Sequence, residues 1–144
     1  MGEFDALKLE NQLCFPIYAC SREIIKKYKP HLDRLNLTYT QYITMMVVWE
    51  KKSITVKTLG DILYLDSGTL TPLLKKLEAK GLVSRTRSTE DERNLIISIT
   101  PKGEALRDDA MQIPAEMKKQ VNLDPSEVEV LYRILYKMLQ KDAG

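Results

Sequence analysis

The sequence predicts a mainly α-helical fold carrying a small antiparallel β-hairpin, and three observations predict it. Leu70, Leu73, Leu74 and Leu77 recur at the spacing of one buried helical face, with Lys75, Lys76 and Lys80 off that stripe. Gly81 follows as the left-handed stop expected just past a helix end. Beyond it, Leu82-Val83 and the run from Leu95 to Ile99 are short β-prone segments on either side of a polar, turn-rich stretch. A helix presented beside a charged hairpin fits duplex DNA, and residues from Asp66 to Thr100 therefore read as the core of a winged helix-turn-helix.

The other elements follow in order. Residues from Phe4 to His31 read as one long helix bearing Leu9, Leu13, Ile17, Ile24 and Tyr28, with a kink or a missing hydrogen bond expected at Pro16. Thr38 opens the next helix, with Gln41 completing a capping box, and the apolar run Ile43, Met46, Val47 and Trp49 predicts deep burial there. Ile54-Thr55 is a short strand candidate and Val56 to Leu63 a short helix. Asp66-Ser67 caps the Leu70 helix, and Pro72 falls in or near its tolerated first turn. Thr100-Pro101 and Asp124-Pro125-Ser126-Glu127 open two more helices. In the last, Val128, Leu131, Leu135 and Met138 repeat at helical steps, with Ile134 and Leu139 alongside. Such a stripe covers a core or packs on a second copy of the chain. Its width, and the need of a DNA reader for a partner, favour the second copy.

At 144 residues, one domain is expected, with a winged helix-turn-helix over about 38–100 and dimerisation helices over about 4–35 and 100–142. The net charge of +2 hides its distribution, since Lys75, Lys76, Lys80, Arg85 and Arg87 face only Glu78 in one stretch. That surplus suits phosphates, although a solvated helix face reads the same way. Two cysteines and one histidine argue against a disulfide scaffold and a metal site, and no cofactor is expected. With no apolar run long enough to cross a bilayer and no secretion leader, a cytoplasmic protein without membrane contact is expected.

The amino-terminal turn of a helix in the major groove normally faces base edges. Here it offers Ser67, Gly68, Thr69, Thr71 and Pro72, with Lys75 and Lys76 one turn later and Arg85 on the following strand. The hydroxyls suit bases or phosphates, but capping explains them equally well for Ser67. At the hairpin tip, Glu90, Asp91 and Glu92 are a poor choice if only positive charge is wanted. They make sense if Asp91 orients Arg93 into the narrow minor groove.

Asp91-Glu92-Arg93, then Leu95 and Ile99-Thr100-Pro101-Lys102-Gly103, resemble the wing and its exit in the MarR family of dimeric winged-helix regulators. The resemblance covers nearly the whole chain. Leu9 to Phe15, Tyr18, Tyr28, Tyr39 and Leu65 to Pro72 resemble more closely the branch of organic-hydroperoxide-sensing repressors called OhrR. It implies a homodimer on a pseudo-palindromic operator, released by oxidation of a reactive cysteine that matches Cys14. It also implies that residues matching Tyr28 and Tyr39 bond the reactive sulfur.

From the residues alone, Cys14 would be a small hydrophobe, the usual fate of an isolated cysteine. A sensor needs the thiolate, which is only a few per cent of an ordinary free thiol at neutral pH, and nearby hydroxyls stabilise it. Tyr18 sits one helical turn after Cys14, whereas spacing cannot bring Tyr28 or Tyr39 to it. Cys20 rises about 9 Å along a helix from Cys14, which argues against a bridge between them. Some members of the branch carry a resolving cysteine in the carboxy-terminal half. This chain has none there, so it resembles the one-cysteine type, needing a low-molecular-weight thiol or further oxidation. Pro16 departs from the aliphatic residue expected two positions after the cysteine. The rival readings are a repressor released by a small aromatic ligand, a thiol peroxidase using Cys14, and a protein-interaction module.

Overall fold

The computed structural model describes residues 2–88, 90 and 94–140. Two short 3-10 turns, Asp5–Leu7 and Leu9–Asn11, lead into α1 (Cys14–Asp33) and α2 (Tyr39–Lys51). Then come β1 (Ser53–Thr55), α3 (Val56–Leu63), α4 (Ser67–Ala79), β2 (Val83–Arg87) and β3 (Leu95–Ile99). The chain continues with α5 (Pro101–Ala110), α6 (Ile113–Gln120) and α7 (Pro125–Leu139). Contacts divide it into two compact units, one to Ile113 and one from Pro114.

The first helix departs from the expectation of one rod from Phe4. The amide of Asn11 donates to the Asp5 carbonyl (2.7 Å), and that of Gln12 to the carbonyls of Ala6 (2.7 Å) and Lys8 (2.8 Å). These bonds hold the 3-10 turns, and Gln12 is extended, so helical geometry starts only at Cys14. Pro16 thereby becomes the third helical residue, where a backbone N–H has no intrahelical partner anyway. No kink is needed there. The interior proline is Pro30, in a helix that runs on to Asp33.

α2 opens with the expected box: the Gln41 N–H donates to Thr38 Oγ1 (3.3 Å) and the Thr38 N–H to Gln41 Oε1 (3.0 Å). The buried face differs in part from the apolar run. Val47 and Trp49 are buried, but Met46 is exposed and Ile43 only half-buried, while Gln41, Tyr42, Thr44, Met45 and Val48 turn inward. Thr44 is admissible there because its hydroxyl donates to the Thr40 carbonyl (2.8 Å).

In α4, Leu70, Leu73, Leu74 and Leu77 are all buried as the stripe predicts, and Gly81 ends the turn with φ at 77°. Pro72 is the sixth helical residue, beyond the first turn, so it supplies no N–H to the Gly68 carbonyl. The sheet has three antiparallel strands in the order β1-β3-β2. Ser53 pairs with Ser98 and Val83 with Ile99, and the Ser88 N–H to Asn94 carbonyl bond (2.8 Å) extends the hairpin toward its tip.

α5 locks this unit. Thr100 caps it by accepting from the Gly103 N–H (3.0 Å) while donating to the Gly81 carbonyl (2.6 Å). The buried Trp49 Nε1–H donates to the Gly103 carbonyl (2.8 Å). In the second unit, the Asp124 N–H donates to Glu127 Oε1 (3.0 Å) at the start of α7. Every described residue of α7 is exposed, including Val128, Leu131, Ile134, Leu135, Met138 and Leu139. Its apolar stripe therefore lies outside the core of the single chain.

Candidate functional site: a nucleic-acid interface and a thiol

The amino terminus of α4 is a capped, solvent-facing turn. Asp66 Oδ1 accepts from the Thr69 N–H (2.7 Å), and that bond, with the Thr69 hydroxyl behind it, holds the Asp66 carboxyl below the usual carboxylate range. The cap is thus Asp66 and not Ser67, and it engages the Thr69 hydroxyl as well. Ser67, Gly68, Thr69, Thr71, Pro72, Lys75 and Lys76 are all exposed, off the leucine face.

The basic surplus is smaller than the sequence suggests. Arg85 is bound to Glu78, with Nη2 and Nε at 3.0 and 3.1 Å from Oε1. Lys80 turns back into the fold, donating to the Asn36 carbonyl and to Gln41 Oε1 (3.1 Å). Lys75 and Lys76 remain as the exposed lysines of the helix. Asp91 and Arg93, the expected tip pair, lie outside the described residues.

Cys14 is the first residue of α1 and is exposed, as is Cys20. Tyr18, one turn on, accepts from Arg22 Nη1 at its hydroxyl (2.7 Å), with the guanidinium 5.6 Å from its ring centre. The other tyrosines form a separate group. Tyr28 packs against Tyr39 with ring centres 5.0 Å apart and planes tilted by 57°, and Tyr42 lies 5.9 and 6.4 Å from the two rings. Burial raises the pKa of all three phenols, and Tyr42 is pushed up to about 12, with Tyr28 and Tyr39 adding to its shift.

The structure therefore brings Tyr28 and Tyr39 together but leaves Cys14 and Tyr18 away from them. Fourteen residues of helix separate Cys14 from Tyr28, a rise of about 21 Å. Within one chain the four residues do not form one site. Sequence reasoning also missed Tyr42, although its place three residues after Tyr39 on a capped helix puts both on one face.

Among the described residues no helix is long and apolar enough to cross a membrane, and no three metal-ligating side chains gather. A family profile described as transcriptional regulator SarA/Rot matches residues 26–110. The organic hydroperoxide resistance transcriptional regulator of Bacillus subtilis is 49% identical over 145 residues, covering 98% of this chain and 99% of that protein. The structure of reduced AbfR bound to DNA superposes with a TM-score of 0.79 at 33% identity, covering 96% of each chain. A mutant MarR from E. coli complexed with operator DNA superposes at 0.80 with 26% identity, over 97% of this chain and all of that one.

Proposed function

This chain belongs to the MarR and SarA/Rot type of winged-helix transcriptional regulator, in the organic hydroperoxide resistance branch, and on that basis we propose a homodimeric cytoplasmic repressor whose Cys14 senses organic hydroperoxides. The observation that carries this reading is the face of α1. Cys14, Ile17, Tyr18, Ser21, Ile24, Ile25 and Tyr28 fall on one stripe of helical spacing. All are exposed except Tyr28, which is half-buried.

Ser21 lies midway between Cys14 and Tyr28. If two α1 helices cross antiparallel about a twofold axis at Ser21, Cys14 faces Tyr28 of the second copy, and Ile17 faces Ile25. Ser21, a small residue at the crossing, permits close approach. An isologous contact repeats each pairing, giving two sites per dimer. The gap of about 21 Å inside one chain is then closed between chains, with Tyr39 held beside Tyr28 by their tilted ring contact.

In that site the hydroxyls of Tyr28 and Tyr39 stabilise the thiolate by charge-assisted hydrogen bonds. The sulfur attacks the terminal oxygen of the hydroperoxide, an S–O bond forms, and the O–O bond breaks. The alkoxide takes up a proton and leaves as the alcohol, and the cysteine is oxidised to a sulfenic acid. A low-molecular-weight thiol condenses with it, releasing water, to give a mixed disulfide; without one, further hydroperoxide carries it to higher oxides. Either product is larger than the thiol and disrupts the tyrosine packing, which alters the dimer and the spacing of its two α4 helices.

In the reduced dimer, Ser67, Gly68, Thr71 and Pro72 meet base edges, Lys75 and Lys76 reach phosphate or guanine, and the wing tip with Asp91 and Arg93 enters the minor groove. The half-sites lie about 34 Å apart. The deciding experiment is a gel shift on operator DNA with and without cumene hydroperoxide, wild type against Cys14→Ser. The wild type is expected to leave DNA on oxidation and Cys14→Ser to stay bound. Equal release of both proteins would overturn the sensor and favour a ligand-released repressor.

A further inference from the structure

One half-buried cation is unused by this mechanism. Lys80 stands at the carboxy-terminal cap of α4, yet its side chain runs away from the exposed lysines of that helix. Its ammonium donates to the carbonyl of Asn36, a left-handed residue (φ 55°) in the turn between α1 and α2, and to Gln41 Oε1 at 3.1 Å. That same Gln41 oxygen closes the capping box with the Thr38 N–H, and Gln41 is 4% exposed. Two residues before Gln41, Tyr39 opens α2 and packs its ring against Tyr28. A second lysine secures the far end of the strut: Lys102 Nζ donates to the Lys80 carbonyl at 2.8 Å. Desolvation, with Lys76 nearby adding to it, holds the Lys80 ammonium below the usual lysine range, as a partly enclosed cation should be.

We propose that Lys80 is a positioning residue that couples the tyrosine cluster to the DNA-reading helix, by fastening the carboxy-terminal end of α4 to the turn that carries Tyr39. Burial of α4 through its leucines fixes its depth in the fold, but apolar contacts are non-directional and set its orientation less sharply. A charged donor held by two acceptors on the α1–α2 turn is directional. When oxidation at Cys14 disturbs Tyr28 and Tyr39, the turn shifts and Lys80 transmits the shift to α4. Without the ammonium, the two ends move independently.

This inference rests on the sensing role of Cys14, so the test separates the two. Operator affinity is measured by fluorescence anisotropy for the reduced and the cumene-hydroperoxide-treated forms of wild type, Lys80→Met and Lys80→Arg. All proteins carry Cys20→Ser so that thiol titration reports Cys14 oxidation, and a salt series is run on each reduced protein. The expected result is that Lys80→Met oxidises as fully as wild type but loses about tenfold of the reduced-to-oxidised affinity ratio, which Lys80→Arg restores. Its salt slope should equal that of wild type, because a lysine on a phosphate would lower the slope by about one. A normal ratio in Lys80→Met, or a reduced salt slope, overturns the coupling role alone. Full retention of DNA by oxidised wild type overturns both readings. If Lys80→Met does not fold, Lys80→Gln, whose shorter side chain carries no ammonium to the turn, takes its place: a diminished ratio supports the coupling role, and a normal ratio overturns it.

Discussion

At the level of single residues, the tyrosine cluster has a chemical consequence that can be measured without DNA. Burial favours the neutral phenol of Tyr42, whose pKa is raised to about 12, above the value near 10 of an unfolded tyrosine. Its contribution to stability is complete below about pH 10 and is lost as pH climbs toward 12, because the unfolded chain ionises first. The melting temperature of wild type should therefore fall more steeply from pH 10 to 12 than that of Tyr42→Phe. Parallel slopes would contradict it, and Tyr28 and Tyr39, also raised, contribute to the slope that remains. Cys14 belongs here too: Cys14→Ser should keep operator affinity while losing its response to hydroperoxide, which gel shift reads directly. Cys14, Tyr18, Tyr28 and Tyr39 are singled out in the sequence through the family resemblance, and Tyr42 is not. Their grouping is not, since a residue's neighbours across the fold leave no mark on its local spacing.

Among elements, the junction of α4, β2 and α5 shows why one recognisable pattern is needed physically. The stretch Ile99-Thr100-Pro101-Lys102-Gly103 reads in sequence only as a resemblance and a helix start. In the fold, Thr100 Oγ1 joins the Gly81 turn to the α5 cap, so Thr100→Val should cost about 1 kcal/mol in urea unfolding. A Cβ at Gly103 would stand 2.2 Å from the Leu82 carbonyl oxygen and 2.7 Å from Ile99 Cδ1. Gly103→Ala is expected to lose about 1–3 kcal/mol by forcing α5 away from the sheet, and a variant as stable as wild type would refute that packing. Capped elements are legible in sequence because Thr38, Asp66 and Thr100 make their bonds to residues three positions on. The start of the first helix is not, because it depends on the side-chain amides of Asn11 and Gln12, which bind carbonyls upstream and favour 3-10 turns over a continuous rod.

For the whole molecule, the proposed dimer would cover the exposed stripes of α1 and α7. A twofold axis at Ser21 makes a sharp prediction, because a residue on the axis meets itself. In a Cys14→Ser, Cys20→Ser background, Ser21→Cys should form an intersubunit disulfide under mild oxidation, seen as a dimer on non-reducing gels. Helix axes about 8–10 Å apart, each with its Cα atoms at a radius of about 2.3 Å, leave facing Cα atoms roughly 4–5 Å apart, which a disulfide spans. Failure of Ser21→Cys to cross-link, with cross-linking by a cysteine placed at Ile25 instead, would move the axis. The order of the elements other than the leading 3-10 turns and α6, the caps, the leucine face of α4, the hairpin and the family can be read along the chain. They arise from periodicity and from bonds between near neighbours, so they are written within a few residues. It takes the packed fold to show that Lys80 and Arg85 bind within it, that Tyr42 joins Tyr28 and Tyr39, and that Cys14 stands far from them in its own chain. Those facts depend on where distant segments meet, which packing settles and local spacing does not.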